Sequence, residues 1–120
     1  MSVSDRNTDW RKKLREEIKG KARTEIERVK MPERAASERV KSQRLEVNTG
    51  LTEEMARREA SRCMDCVNPT CMEGCPVGID IPGFIKNIER GEIGEAAAVL
   101  KQTSALPAVC GRVCPQEKQC

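Results

Sequence analysis

Seven cysteines, all between positions 63 and 120, constrain this 120-residue chain more than any other feature of its sequence. They follow the pattern C-x2-C-x4-C-x3-C-P and, further along, C-x3-C-P-x4-C. The positions are Cys63, Cys66, Cys71, Cys75, Cys110, Cys114 and Cys120. Thiols this dense on short segments must converge on one another or on a metal centre, and that choice governs what the segment can fold into.

The apolar content of the chain is low in the residues that normally build a core. Trp10 and Phe84 are its only large aromatic rings, and it has no tyrosine. Because aromatic side chains supply much of the burial in an ordinary core, we expect a thin one here. A cysteine-bearing segment with so little to bury needs a covalent or metal staple.

Charge is distributed unevenly along the chain. Residues 1–62 carry 17 basic and 12 acidic groups, a net charge of +5, whereas residues 63–120 carry 5 and 7, a net charge of −2. The N-terminus lacks an apolar signal-peptide core, and no apolar run reaches membrane-spanning length. We therefore expect a cytoplasmic protein without membrane association, whose thiols stay reduced.

The first third of the chain has the periodicity of an amphipathic helix. Asp9 could cap its start, and Met31-Pro32 would stop it after Lys30. Apolar residues recur every three or four positions, at Trp10, Leu14, Ile18, Ala22, Ile26 and Val29. Because acidic residues are interleaved with the basic ones, we expect this helix to dock on a protein surface rather than on nucleic acid.

Further helices are predicted around the cysteine segments. Thr52 is a predicted N-cap for a helix over residues 53–62. Asp80 and Pro82 open another, which Gly91 ends and which places Phe84, Ile85 and Ile88 on one face. A third is expected over residues 93–102, closed by Pro107, with its inward residues at Ile93, Ala97 and Leu100. No strand pattern is convincing, so the sequence predicts an all-α fold, a small helical bundle with two loop-borne cysteine clusters.

Three kinds of cross-link could use the cysteines. Disulfides are disfavoured by the odd number of thiols and by a reducing compartment. A zinc site stays open, since Cys63-x2-Cys66 suits a zinc knuckle, but the chain has no histidine and no second C-x2-C pair. Iron–sulfur clusters fit the uneven spacings better. In bacterial ferredoxins the run is C-x2-C-x2-C-x3-C-P, and the cysteine before proline ligates the second cluster.

The ferredoxin pattern divides the thiols into two sets. By that reasoning Cys63, Cys66 and Cys71 would seat one cluster. Cys75 would cross to a second cluster, shared with Cys114 and Cys120.

Longer motifs give the chain a family resemblance from about residue 31 onward. It resembles the N-terminal iron–sulfur domain of the small subunit of NADPH-dependent glutamate synthase, and the similar domain of dihydropyrimidine dehydrogenase. The motifs are Met31-Pro32-Glu33, Leu51-Thr-Glu-Glu, Glu59-Ala60-Ser-Arg62-Cys63-Met-Asp-Cys66, Asn68-Pro69-Thr-Cys71, Gly74-Cys75-Pro76, Ile79-Asp80-Ile81-Pro82 and Leu106-Pro-Ala-Val-Cys110-Gly-Arg-Val-Cys114-Pro-Gln-Glu117.

The resemblance implies an α-helical ferredoxin-like domain with two [4Fe–4S] clusters over residues 31–120, after an amphipathic extension over residues 1–30. In the family this domain precedes FAD- and NADPH-binding domains. Electrons pass from NADPH through FAD and the clusters to a flavin on the large subunit, where glutamate is made. By position, the six proposed ligands match family ligands, whereas Cys110 matches a position that is usually not one.

The chain also departs from the family pattern. Two [4Fe–4S] clusters need eight ligands, and the family pattern continues with another cysteine beyond Cys120. No G-x-G-x-x-G nucleotide motif is present. We therefore expect a domain truncated at its C-terminal end, which does not catalyse alone and could self-associate through its exposed apolar faces. The alternative is a zinc-stapled interaction module without redox activity.

Overall fold

A computed structural model describes residues 4–120, so the first three residues of the predicted extension lie outside the described range. Over that range the chain is helical and contains no strand, which confirms the all-α prediction. One isolated antiparallel bridge joins Glu33 and Asn48. The helices are α1 (Asp9–Glu17), α2 (Gly20–Glu25), α3 (Ala36–Arg39), α4 (Glu53–Ala60), α5 (Thr70–Glu73), α6 (Ile81–Glu89), α7 (Ile93–Lys101), α8 (Pro107–Val113) and α9 (Gln116–Gln119).

The prediction of one helix from Asp9 to Lys30 is wrong. The helix breaks at Ile18, which is extended with φ −127° and ψ 108°, and the second helix of this segment, α2, ends at Glu25 rather than at Lys30. The reason is Arg23, whose guanidinium donates to the carbonyl of Leu14 and, at 2.8 Å, to that of Ile18. These carbonyls lie at the C-terminal end of α1, where backbone donors are scarce, and the Leu14 carbonyl has only a long bond of 3.4 Å from the Ile18 N–H. The chain turns back after Ile18, so that the Arg23 side chain can donate to these carbonyls.

Helices α4 and α6 begin where the sequence predicts. The Thr52 hydroxyl accepts from the Met55 N–H at 3.3 Å, and the Asp80 carboxylate accepts from the Gly83 N–H at 3.0 Å. Helix α6 ends at Glu89 with Arg90 as its C-cap, and the next residue, Gly91, has φ 88°. A left-handed residue just past a helix is a usual place for glycine, which has no Cβ to clash.

The later helices differ in detail from the prediction. Helix α7 buries Ala96, which is 2% exposed, whereas Ile93, expected to face inward, is 46% exposed. Pro107 does not merely close α7, since it opens α8 as its first residue. Proline is well suited to that position because its missing N–H would have no partner there.

The core is indeed poor in apolar residues. Within the described range the buried apolar side chains are Ala60 and Ala96, and the largest fully buried side chains are charged. The buried face of α6 is polar in part, and the predicted apolar set on that helix is only half-buried. The charged residues are Arg11, Arg23, Lys86 and Asp65.

None of the helices described between residues 4 and 120 has both the length and the apolar character that crossing a bilayer requires.

Candidate functional site

The first cysteine loop, residues 63–66, leaves the C-terminal end of α4. Cys63 continues the last turn, with its N–H donating to the Ala60 carbonyl at 3.1 Å. Asp65 then adopts φ 53°, a left-handed conformation that aspartate tolerates better than most residues. Burial raises the pKa of the Cys63 thiol, and the backbone N–H of Asp65 opposes this only in part. The loop thus turns sharply between Cys63 and Cys66.

The three thiols of the first predicted set differ in burial: Cys63 and Cys71 are half-buried, and Cys66 is exposed. Burial raises the pKa of the Cys63 thiol above its ordinary value. Burial also raises the pKa of Cys71, on α5, and negative charge on Cys63 or Cys66 would raise it further. A bound cation would act in the opposite direction and favour the thiolate forms of Cys63 and Cys71.

The Cys75 sulfur has a different environment. Burial alone would raise the pKa of its thiol, but the nearby backbone N–H groups of Ile79, Val77 and Gly78 outweigh that effect and lower the pKa. Gly78, at φ 68°, closes a turn here, and its N–H donates to the Cys75 carbonyl at 3.0 Å. Such a nest of N–H groups favours an anionic sulfur, the form that binds a metal.

The C-terminal helix α9 packs against the loop that carries Cys75. Gly74 allows this approach, because a Cβ there would lie 3.1 Å from the Cys120 Cα, and nearer still to the Gln119 carbonyl. The Cys120 sulfur lies 3.8 Å from the Gln116 carbonyl, and the Cys114 sulfur 3.9 Å from the Gln119 side chain. The backbone of the second predicted set is thus drawn together from distant parts of the sequence.

Cys110 has its own partner. Its sulfur lies 3.6 Å from the hydroxyl of Ser104, which is buried between α7 and α8. This contact with a buried hydroxyl is compatible with the prediction that Cys110 does not ligate a cluster. That role stays a prediction.

A carboxylate that the sequence analysis missed supports the first loop. Asp65 is fully buried, and its oxygens accept from Arg11 and, at 2.5 Å, from Arg15. Arg6 donates to the Asp65 carbonyl at 2.6 Å. Burial would raise the pKa of Asp65, but the two guanidinium partners outweigh it and hold that pKa below its ordinary value.

A second buried network lies on the other side of the loop. The Lys86 ammonium, fully buried, donates to the Cys63 carbonyl at 2.6 Å and to the Glu89 carboxylate at 2.5 Å. Arg23 donates to the same carboxylate at 2.8 Å and to the Ser61 carbonyl at 2.5 Å. The available sequence signal was a lysine and a glutamate three residues apart within the mainly apolar helix α6.

The donor atoms fit an iron–sulfur cluster. They are thiols on short loops, several with backbone N–H groups directed at sulfur, which is the usual setting of cluster ligands. Among residues 4–120, no group of three or more His, Cys, Asp or Glu side chains is arranged to hold a single metal ion.

Comparison with known proteins adds independent findings. Residues 39–120 match the family model described as dihydropyrimidine dehydrogenase domain II, 4Fe-4S cluster. The chain is 41% identical over 96 residues to the glutamate synthase [NADPH] small chain of Escherichia coli, which covers 80% of this chain and 20% of that protein. It is 33% identical over 91 residues to the small chain of Azospirillum brasilense, covering 76% of this chain and 19% of that protein.

A relative named for a different activity is also found. The chain is 41% identical over 75 residues to the NAD-dependent dihydropyrimidine dehydrogenase subunit PreT of Salmonella typhimurium, covering 62% of this chain and 18% of that protein. The chain therefore spans about a fifth of the length of the curated relatives it matches.

Proposed function

Because this chain belongs to the iron–sulfur family of dihydropyrimidine dehydrogenase domain II, we propose that it relays electrons between a flavin domain and a partner subunit. The family match and the relatives support an iron–sulfur electron-transfer domain related to the glutamate synthase small chain. We further propose the number of clusters, their ligands and the partners given below.

The observation that carries the proposal is the grouping of the cysteine loops. The first proposed ligand set is Cys63, Cys66 and Cys71, and its support is that Cys63 and Cys66 lie close enough to Cys71 for negative charge on them to raise the pKa of its thiol. The second set is Cys75, Cys114 and Cys120, and its support is the contact of α9 with Gly74. In this proposal two [4Fe–4S] clusters are bound, and each takes its remaining ligand from outside the six cysteines.

When bound, an iron–sulfur cluster supplies one-electron transfer. The residues of this chain would position the sulfurs, exclude water on the buried side and donate hydrogen bonds to sulfur. The three N–H groups around Cys75 would stabilise negative charge there and so favour the reduced form. None of these tasks requires an acid–base pair, so we propose that this domain does not catalyse by itself.

The proposed donor is FAD reduced by NADPH, on domains that would follow this one in the complete protein. The proposed acceptor is the large chain of a glutamate synthase, in the cytoplasm. Two of the relatives are named as glutamate synthase small chains, and they cover more of this chain than the PreT relative does. The name "small chain" implies a larger partner for those proteins.

Low-temperature electron paramagnetic resonance of the anaerobically reconstituted and dithionite-reduced chain tests the electron-relay role. We expect brown protein whose visible absorption bleaches on reduction, with signals from reduced clusters that integrate to more than one spin per chain. Protein that stays colourless and silent after reconstitution contradicts the proposal. If it instead retains stoichiometric zinc, the chain is a zinc-stapled interaction module.

A further inference from the structure

The N-terminal arm, residues 4–23, reaches the first cysteine loop through buried charges rather than through apolar packing. Arg11 and Arg15 project from α1 onto the Asp65 carboxylate, the side chain between Cys63 and Cys66. Arg6 adds a hydrogen bond to the backbone carbonyl of the same residue. Three arginines of one arm therefore contact a single loop residue.

The backbone conformation of Asp65 depends on these contacts. Its left-handed backbone is less favourable for a residue other than glycine, so the surrounding contacts must hold it there. That same conformation sets the path of the chain between Cys63 and Cys66. Losing the arginines would leave a buried carboxylate unpaired, which is strongly unfavourable. The loop could then relax only by exposing Asp65 and displacing the cysteines.

The N-terminal arm also binds the backbone just before the first cysteine loop. Arg23, which is 1% exposed, uses its guanidinium both to end α1 and to bind the Ser61 carbonyl just before Cys63. Glu89 joins Arg23 to Lys86, and Lys86 binds the Cys63 carbonyl. The cysteine pair is thus fixed from both sides without any contribution from a bound metal.

These networks leave positive charge next to the first cysteine set. Arg11 and Arg15 face one carboxylate, Asp65, and Arg23 and Lys86 face another, Glu89. Each network therefore carries a net charge of +1 by its formal charges. Fixed positive charge near a redox centre favours its reduced, more negative form.

We propose that the N-terminal arm is a positioning element for the first cluster, which holds Cys63 and Cys66 in the ligating arrangement before iron binds and raises the reduction potential afterwards. The proposal rests on the ligand role proposed for these cysteines. Arg15 is the most informative residue, because it is one-fifth exposed, so that its replacement is tolerated more easily than that of Arg11.

Amide hydrogen exchange of the metal-free, full 120-residue chain tests the first half. In Arg15→Gln we expect exchange at residues 64–66 to accelerate by at least about tenfold, equivalent to about 1.4 kcal/mol of opening free energy. Exchange in α7, on the far side of α6, should not change. Arg15→Lys should lie between Arg15→Gln and the native chain. The matched control is Lys13→Gln on the same helix, whose pair with Glu17 is exposed.

Two outcomes overturn the positioning role. One is exchange at residues 64–66 that is the same in Arg15→Gln and Lys13→Gln. The other is equal acceleration in α7, which would mean that the arm stabilises the whole fold and not the loop. Because this experiment uses metal-free protein, its failure leaves iron binding untouched, and failure of iron binding leaves its result intact.

A redox titration of the reconstituted chain tests the second half. Loss of the positive charge in Arg15→Gln should shift the potential of one cluster to a more negative value, while Arg15→Lys and Lys13→Gln should leave it near the native value. An identical potential in all four proteins refutes the electrostatic role.

Discussion

Gly74 offers a direct perturbation of the second cysteine set. Its φ of −75° suits any residue, so alanine there introduces no backbone strain and acts only through its methyl group. That carbon would lie 3.0 Å from the Gln119 carbonyl carbon and 3.1 Å from the Cys120 Cα, with the Gln119 oxygen nearer still. Ordinary contacts begin at 3.4 Å. Helix α9 must therefore move outward by about 1 Å to restore normal van der Waals separations.

The expected consequence of Gly74→Ala is local. Adding a methyl to a packed contact typically costs about 1–3 kcal/mol. Helix α9 has only four residues, all exposed, so it should detach before the rest of the fold responds. The urea midpoint should stay near the native value. Nitrogen–proton correlation spectra should show shifts concentrated at residues 116–120, and iron after reconstitution should fall to about half, since one of two clusters is lost.

Gly111 provides the matched control, because it occupies the other C-x3-C segment. A Cβ at Gly111 would meet nothing within 4 Å, and the residue lies inside α8. Gly111→Ala should therefore keep its iron and gain up to about 1 kcal/mol from helix propensity. If Gly74→Ala binds as much iron as Gly111→Ala, and its C-terminal resonances do not move, then contact between α9 and the Cys75 loop does not build the second site.

Two further predictions concern folding free energy, measured by urea denaturation. Arg23→Ala should lower the free energy of unfolding by about 3–5 kcal/mol, because it removes one partner from a buried charge network. Its control is Arg112→Ala, whose exposed pair with Glu46 should contribute nothing measurable, and equal losses would contradict the buried network. Asp80→Ala should lower the free energy by about 1–2 kcal/mol, since the carboxylate caps α6 and accepts from Ser4. Thr52→Ala removes an exposed cap. If Asp80→Ala lowers the free energy of unfolding by less than Thr52→Ala does, the role given to the Asp80 carboxylate is contradicted.

Sequence reasoning predicted the features that depend on residues close together in the chain. The caps at Thr52 and Asp80 involve residues three positions apart, so a short stretch of sequence contains both partners. The break at Ile18 was not predictable in this way, because the apolar periodicity continues through it. It depends on Arg23, whose other partners, Ser61 and Glu89, are remote in sequence.

The same division applies to the site. The spacing of Cys63, Cys66 and Cys71 places them within one short stretch of sequence, so a shared role could be predicted for them, and it stays a prediction. The approach of α9 to Gly74 depends on how α8 leads the chain back, which spacing does not encode. The role of Asp65 was hidden for the same reason, since its arginine partners lie some fifty residues earlier in the chain.

Quantification of iron, acid-labile sulfide and zinc in the anaerobically reconstituted chain tests the central claim most directly. The account predicts iron and sulfide in equal amounts, zinc well below one ion per chain, and loss of iron when Cys63 or Cys75 is replaced by serine but not when Cys110 is. Stoichiometric zinc that persists against excess iron and sulfide, with no labile sulfide bound, would contradict it.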